Sequence, residues 1–331
     1  MSAATAWDRV VDQDDAVALL QRAARRPSHA YLLVGPRGSG VEQAARCFAA
    51  ATIAPDDDRA FDLALRGVHP DVVEIDPAAT QIRVEDAQTI LEEAYRSPVE
   101  GERKAILVFE AERLNEQAAN KLLKTLEEPP ATALIVLVTA GADQLLETIR
   151  SRCQRVDFAY RSPGEPPPQV AAVRAAFVDV GCTIDGTGAA VTASVAEVQD
   201  AMQRAVAQLE AEQAAELDEL TRELEGSGYP DRIVRAQLRR LAERQKRAHR
   251  AARTELLVEG VTALETVYRD ALAGPGAALR NADRTVPLLE PRSCNRALDA
   301  CREARQALAE FIPNETLLLE RLFLHLPGVP R

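Results

Sequence analysis

Residues Gly35-Pro36-Arg37-Gly38-Ser39-Gly40-Val41-Glu42 follow an apolar run, Tyr31-Leu32-Leu33-Val34, and lead into a helical pattern through about Ala51. A strand, a glycine loop and a helix in that order build a phosphate cradle of the form G-x-x-x-x-G-K-[ST]. Gly35 and Gly40 keep its spacing, with Gly38 between them. The reactive positions differ. Val41 stands where a lysine would reach the β- and γ-phosphates, and Glu42 where a hydroxyl would hold Mg²⁺. A carboxylate about 4 Å from a phosphate is opposed by about 4 kcal/mol per unit charge at an effective dielectric near 20. A hydrolytic site also needs acids after a neighbouring strand, to hold the metal and orient water. Glu110 takes the metal-binding place and Ala111 the water-activating one. Thr139, at another strand end, suits a polar sensor but is also an ordinary strand residue. Arg152, between Ser151 and Cys153, offers a planar, permanently charged guanidinium that could stabilise a transferring phosphoryl group. Taken alone, it reads as a charge at the C-terminus of a helix.

These residues need a scaffold. Ala105–Phe109 and Leu134–Thr139 are continuous apolar runs, the pattern of strands buried on both faces of a parallel sheet. Between them Ala119, Leu122, Leu123 and Leu126 recur at helical spacing, with Asn115 as the expected N-cap and Pro129-Pro130 as the stop. This is a βαβ unit with an expected right-handed crossover. A short helix over Asp143–Ile149 should carry the chain to Arg152. Further helices are expected over Asp15–Arg26 and Val84–Tyr95, and a strand over Val72–Ile75.

The stretch Lys104–Phe158, with Leu126-Glu127-Glu128-Pro129-Pro130 and Thr148-Ile149-Arg150-Ser151-Arg152-Cys153, resembles the clamp-loader subunits of bacterial replicative DNA polymerase, which are AAA+ proteins. The resemblance implies an α/β AAA+ domain, a small helical lid and an all-α collar that closes a ring of subunits. It also implies that Arg152 in Ser151-Arg152-Cys153 is an arginine finger reaching a neighbour's ATP. With the changes at Val41, Glu42, Glu110 and Ala111, the chain resembles the non-hydrolysing member of that family. The implied partners are an ATPase subunit and a delta-like subunit in a hetero-oligomeric ring, and through them the sliding clamp and primed DNA. Many relatives carry a four-cysteine zinc cluster after the first helix. Ile53–Phe61 has no cysteine, so no zinc or other cofactor is expected in this chain.

Composition narrows the classes. A formal charge of −11 argues against a broad phosphate-binding surface, and 4% aromatic residues against extensive base stacking. The five cysteines form no C-x-x-C pair, and no run reaches membrane-spanning length, so a cytoplasmic protein is expected. His69 has no partner ligand nearby in sequence and reads as structural.

Residues 1–160 are expected as the α/β domain, 161–207 as linker and lid, and 208–331 as the collar. Arg161–Pro168 is a linker by composition. Helices are expected over Gln169–Val180, from Ser194 to about Glu225 and from Asp231 to about Leu272, then from a Ser293 cap to Glu310 and on to about Leu326. The helix before Gly226 is acidic and the one after Pro230 basic, which suggests an antiparallel hairpin. The apolar excess at Leu317–Leu324 suggests an interface, placed on Leu318, Leu322 and Phe323. Two alternatives stay open: an active AAA+ ATPase, opposed by Val41 and Glu42, and a DNA-binding adaptor using the basic helix 232–253.

Overall fold

The computed structural model describes residues 3–36, 38–75, 81–160, 167–226, 229–273, 277–310 and 313–328. The helices and strands run, in chain order, α1 (Ala3–Trp7), α2 (Asp14–Arg25), β1 (Ala30–Val34), α3 (Val41–Ile53), α4 (Asp58–Leu65), β2 (Val72–Ile75), α5 (Val84–Tyr95), β3 (Lys104–Val108), α6 (Glu116–Glu127), β4 (Ala133–Thr139), α7 (Glu147–Arg150) and β5 (Gln154–Asp157). From there the chain is helical: α8 (Pro168–Thr183), α9 (Gly188–Glu225), α10 (Asp231–Leu272), α11 (Pro291–Glu310) and α12 (Glu315–Leu324).

The strands form one parallel sheet in the order β2-β3-β4-β1-β5. Side chains alternate between its faces, and both faces are covered. Tyr31, Leu33, Leu107 and Val136 enter one apolar cluster with Phe48 and Phe61, while Leu32, Ile106, Ile135 and Leu137 enter the other with Ile90 and Leu122. This double burial explains why β3 and β4 read as unbroken apolar runs. Asn115 caps α6 as expected, its side chain accepting from the Ala118 N–H at 2.8 Å.

The chain divides into two compact units, residues 1–163 with 220–244, and residues 164–219 with 245–331. The expected division at 207/208 falls inside the unbroken helix α9. In the second unit α8, α9, α10, α11 and α12 share a core in which Phe177 and Phe323 meet edge to face at 6.0 Å. Gly181 and Gly260 permit that packing: a Cβ on Gly260 would lie 2.2 Å from the Phe177 ring.

Three local expectations are corrected. The helix expected over Asp143–Ile149 is a short 3-10 turn, Ala142–Gln144, followed by α7, because the chain extends at Leu145 and Leu146 to bury Leu145. Ser293 lies inside α11; the helix begins at Pro291, whose fixed φ suits a first turn. The last helix ends at Leu324. Most of the expected linker, residues 161–166, and Arg37 of the glycine loop lie outside the described residues.

Candidate functional site

In a parallel sheet, loops at the C-terminal strand ends gather along one edge, and the glycine loop lies there beside β4. The Gly35 N–H donates to the Thr139 carbonyl at 3.0 Å. Gly38 and Gly40 have φ of +81° and +85°, conformations that favour glycine. A Cβ at Gly35 would lie 2.7 Å from both the Phe158 Cβ and the Ser39 Oγ, so the loop is folded tightly on itself.

The remaining positions are turned to packing. Val41 begins α3 buried in the apolar cluster that also holds Ala6, Trp7 and Val10, while Glu42 is exposed in the first helical turn. Glu110 adopts φ +49° and pairs with Arg113 at 2.9 Å, and Ala111 is fully buried. The Thr139 hydroxyl accepts the Gly141 N–H at 3.1 Å, which closes its own turn. Gln13, which drew no attention in the sequence, clasps Ala159 beside Phe158. Its amide donates to the Ala159 carbonyl at 3.0 Å and accepts the Ala159 N–H at 2.9 Å.

Arg152 lies elsewhere. It follows α7 and precedes Gln154, which is paired with Tyr31 near the start of β1, whereas the glycine loop follows the far end of that strand, at Val34. The strands run parallel, so Arg152 belongs to the opposite edge of the sheet from Gly35, Glu110 and Thr139. Its guanidinium donates to the Thr148 carbonyl at 2.9 Å and pairs with Glu127, at the end of α6, at 2.6 Å. The Ser151 hydroxyl donates to the same Thr148 carbonyl at 3.2 Å. Cys153 is half-buried, and burial pushes its thiol up to about 12, so it stays protonated at neutral pH. Arg150 turns to Asp143 at 3.1 Å.

Leu318, Leu322 and Phe323 fill the second unit's own core, at 8%, 2% and 0% exposure, while Leu317 and Leu324 stand exposed at 65% and 61%. The interface expectation is therefore corrected in its residues. Over the ten residues of α12, Leu318, Leu319, Leu322 and Phe323 close the second unit's own core, and Leu317 and Leu324, seven apart, are left outside.

Buried charges account for part of the basic helix. Glu74 meets Arg46 at 2.8 Å and Arg244 at 3.6 Å. Burial pushes the Glu74 carboxyl up, but the two guanidiniums more than offset this and hold it below the usual carboxylate range. Glu93 meets Lys104 at 2.8 Å and Arg240 at 3.3 Å. A glutamate inside an otherwise apolar strand, Val72-Val73-Glu74-Ile75, was the available signal for the first of these pairs. The expected antiparallel hairpin is present: Gln245 donates to the Gln213 carbonyl and to Glu216, both at 2.9 Å, and His249 meets Glu210 at 2.8 Å. His69 is buried, its Nδ1 accepting the Asp71 N–H at 3.1 Å, in a turn that Asp71 holds through the N–H groups of Val99, Glu100 and Gly101.

The family model for the DNA polymerase III delta subunit matches residues 12–162. Those residues are similar to that family. They span the whole parallel sheet together with the glycine loop and Arg152. The delta' subunits of Pseudomonas aeruginosa and Bacillus subtilis are 37% and 33% identical over 147 and 145 residues, covering 41% and 42% of this chain and 44% of each relative. The tau subunit of Bacillus subtilis is 38% identical over 162 residues, covering 46% of this chain and 29% of that protein. The chain thus spans less than half the length of these relatives. The matched region is an α/β domain built on a parallel sheet, and an all-helical region follows it.

Proposed function

We propose that the chain is a non-hydrolysing, delta-prime-like subunit of the bacterial replicative clamp loader, lending Arg152 to the ATP of a neighbouring subunit. The observation that carries this reading is the separation of the two halves of the chemistry. Arg152 lies at the edge of the sheet opposite the glycine loop, so it is badly placed to serve that loop and free to serve another chain. The loop itself has an apolar side chain in place of the lysine and a carboxylate in place of the metal-binding hydroxyl. Arginine is suited to the role because its fork is rigid and always charged.

In this reading the chain needs no metal or nucleotide of its own. Residues 161–207 act as linker and lid and 208–331 as a collar, in a cytoplasmic hetero-oligomeric ring that places the sliding clamp on primed DNA. The exposed pair Leu317 and Leu324 would meet the neighbouring collar, with Leu318, Leu322 and Phe323 supporting them from inside. The test is a reconstituted complex carrying Arg152→Ala. It should assemble, and its DNA-stimulated ATPase and clamp loading should fall. Full loading by a complex of confirmed composition would reject the assignment.

A further inference from the structure

A buried histidine turn meets the start of α10 inside the first compact unit, to which His69, Asp71, Glu100 and Tyr229 all belong. The His69 ring is 1% exposed. Its Nδ1 accepts the Asp71 N–H at 3.1 Å, and a ring nitrogen that accepts carries no proton. The imidazole is therefore neutral, with its proton on Nε2, which donates to the Glu100 carboxylate at 3.1 Å. Burial holds His69 below the usual imidazole range, although the carboxylates of Asp71, Glu100 and Asp57, the N-cap of α4, all favour the charged form. The Asp71 carboxylate is already occupied by the N–H groups of Val99, Glu100 and Gly101, at 2.6, 2.9 and 3.1 Å. Glu100 has a second partner. Tyr229, two residues before α10, presents its hydroxyl to the same carboxylate, and burial and then Glu100 push its phenol up, so it stays protonated. Arg59 lies over the Tyr229 ring at 6.0 Å and pairs with Glu223 at 3.5 Å.

We propose that His69, Glu100 and Tyr229 form a proton-operated latch that fastens the start of α10 to the loop between α5 and β3. Closed, the latch runs from the Asp71 N–H through the neutral ring to Glu100 and on to Tyr229. A proton on Nδ1 sets that nitrogen against the Asp71 N–H, donor facing donor across 3.1 Å. The Asp71 carboxylate cannot turn to meet the new charge without releasing the three amides it holds. Taking up a proton thus undoes the turn, and with it the placing of Glu100 against Tyr229. The sign follows from burial. His69 holds its proton less well in the closed latch than in the open one, so the latch is at full strength above about pH 6.5 and weakens as pH falls below that. The inference does not rest on the role of Arg152.

Two measurements on the full chain test this. The first is nuclear magnetic resonance of the chain labelled with ¹⁵N-histidine, its four histidines told apart by single substitution. At about pH 7.5 His69 should carry its proton on Nε2, and it should titrate below about 6.5. The second is hydrogen exchange, read as protection factors over residues 99–101 and 229–234 at about pH 7.5 and about pH 5, where most carboxylates keep their charge. Protection of both segments should fall together by up to about 30-fold, the ceiling for one proton on a group whose free pKa is about 6.5. β3 and β4 should keep theirs. His69→Asn should abolish the pH dependence, because an asparagine oxygen accepts the N–H two residues on and does not titrate. Tyr229→Phe should leave the fall over 99–101 in place and lower the protection of 229–234 already at neutral pH. The proposal is overturned if the His69 proton sits on Nδ1, if His69 titrates at or above 6.5, or if either segment keeps its protection at pH 5. It is equally overturned if folded His69→Asn retains the full pH dependence, or if Tyr229→Phe behaves as wild type over 229–234.

Discussion

Replacing Arg152 by alanine separates two roles that the geometry allows. As a helix-end charge, the guanidinium holds the Thr148 carbonyl and Glu127, at 2.9 and 2.6 Å. The pair is solvent-accessible, with side-chain exposures of 34% and 50%, so it contributes about 0.2–1 kcal/mol, and the contact with the helix end adds a similar amount. A purely structural Arg152 would therefore lower stability by about 1 kcal/mol and leave ATP turnover in the complex unchanged. As an arginine finger, its loss should reduce the rate at one interface by about 10³–10⁵. The whole ring would show less, because its other sites keep their own arginines. To reach a neighbour's phosphate, Arg152 must leave Glu127, at a cost no greater than the pair's own energy. Glu127→Ala should therefore raise turnover by at most about fivefold, and never lower it. Arg152→Lys should rescue little, because a point charge on a flexible stem lacks the planar fork. The assay is single-turnover ATP hydrolysis by the reconstituted complex on primed DNA, with urea unfolding of each isolated variant and Arg150→Ala as control. Wild-type turnover by Arg152→Ala, together with a stability loss of about 1 kcal/mol, would refute the finger and leave a helix-end charge.

Calorimetric titration of the isolated chain with Mg-ATP should give no saturable micromolar isotherm; Val41→Lys should not restore one, and should lower stability, because it places an ammonium in the cluster with Trp7 and Val10. Arg244→Ala leaves buried Glu74 with Arg46 as its charge partner and should cost about 3 kcal/mol by urea unfolding. Because the Glu74 carboxyl titrates lower in the folded chain than in the unfolded one, its stabilising contribution is complete above about pH 4.3 and is lost as pH falls below that, a dependence that Glu74→Gln should weaken. Gly260→Ala drives a methyl group into the Phe177 ring and should lower the second unit's stability by about 1–3 kcal/mol, measured by thermal unfolding of the full chain. Leu317→Ser with Leu324→Ser should leave the fold intact and weaken assembly with partner subunits, read by co-elution on size exclusion, whereas Phe323→Ala should unfold the second unit because it removes the partner of Phe177.

The local pattern of the sequence determined the sheet. Strands covered on both faces must be apolar throughout, so β3 and β4 announced themselves, and a side-chain cap with a proline stop bounded α6. The departures from the phosphate-cradle pattern at Val41, Glu42, Glu110 and Ala111 are likewise read from residue type at fixed spacing. Helix periodicity placed α9 and α10, and their opposite charges foretold the hairpin. What sequence could not decide was partnership across the chain. Nothing local tells Arg240 and Arg244, which meet buried glutamates more than a hundred residues away, from Arg232 and Arg239, which face solvent. The same limit applies to α12, where leucines of one type divide between the core and the surface according to what α8 and α11 present to them. It applies to Arg152 as well: the sequence put a guanidinium after a short helix, but only the parallel strand register set it at the opposite edge from the glycine loop. Spacing along a chain fixes which residues share a face of one element, and tertiary packing fixes what that face meets.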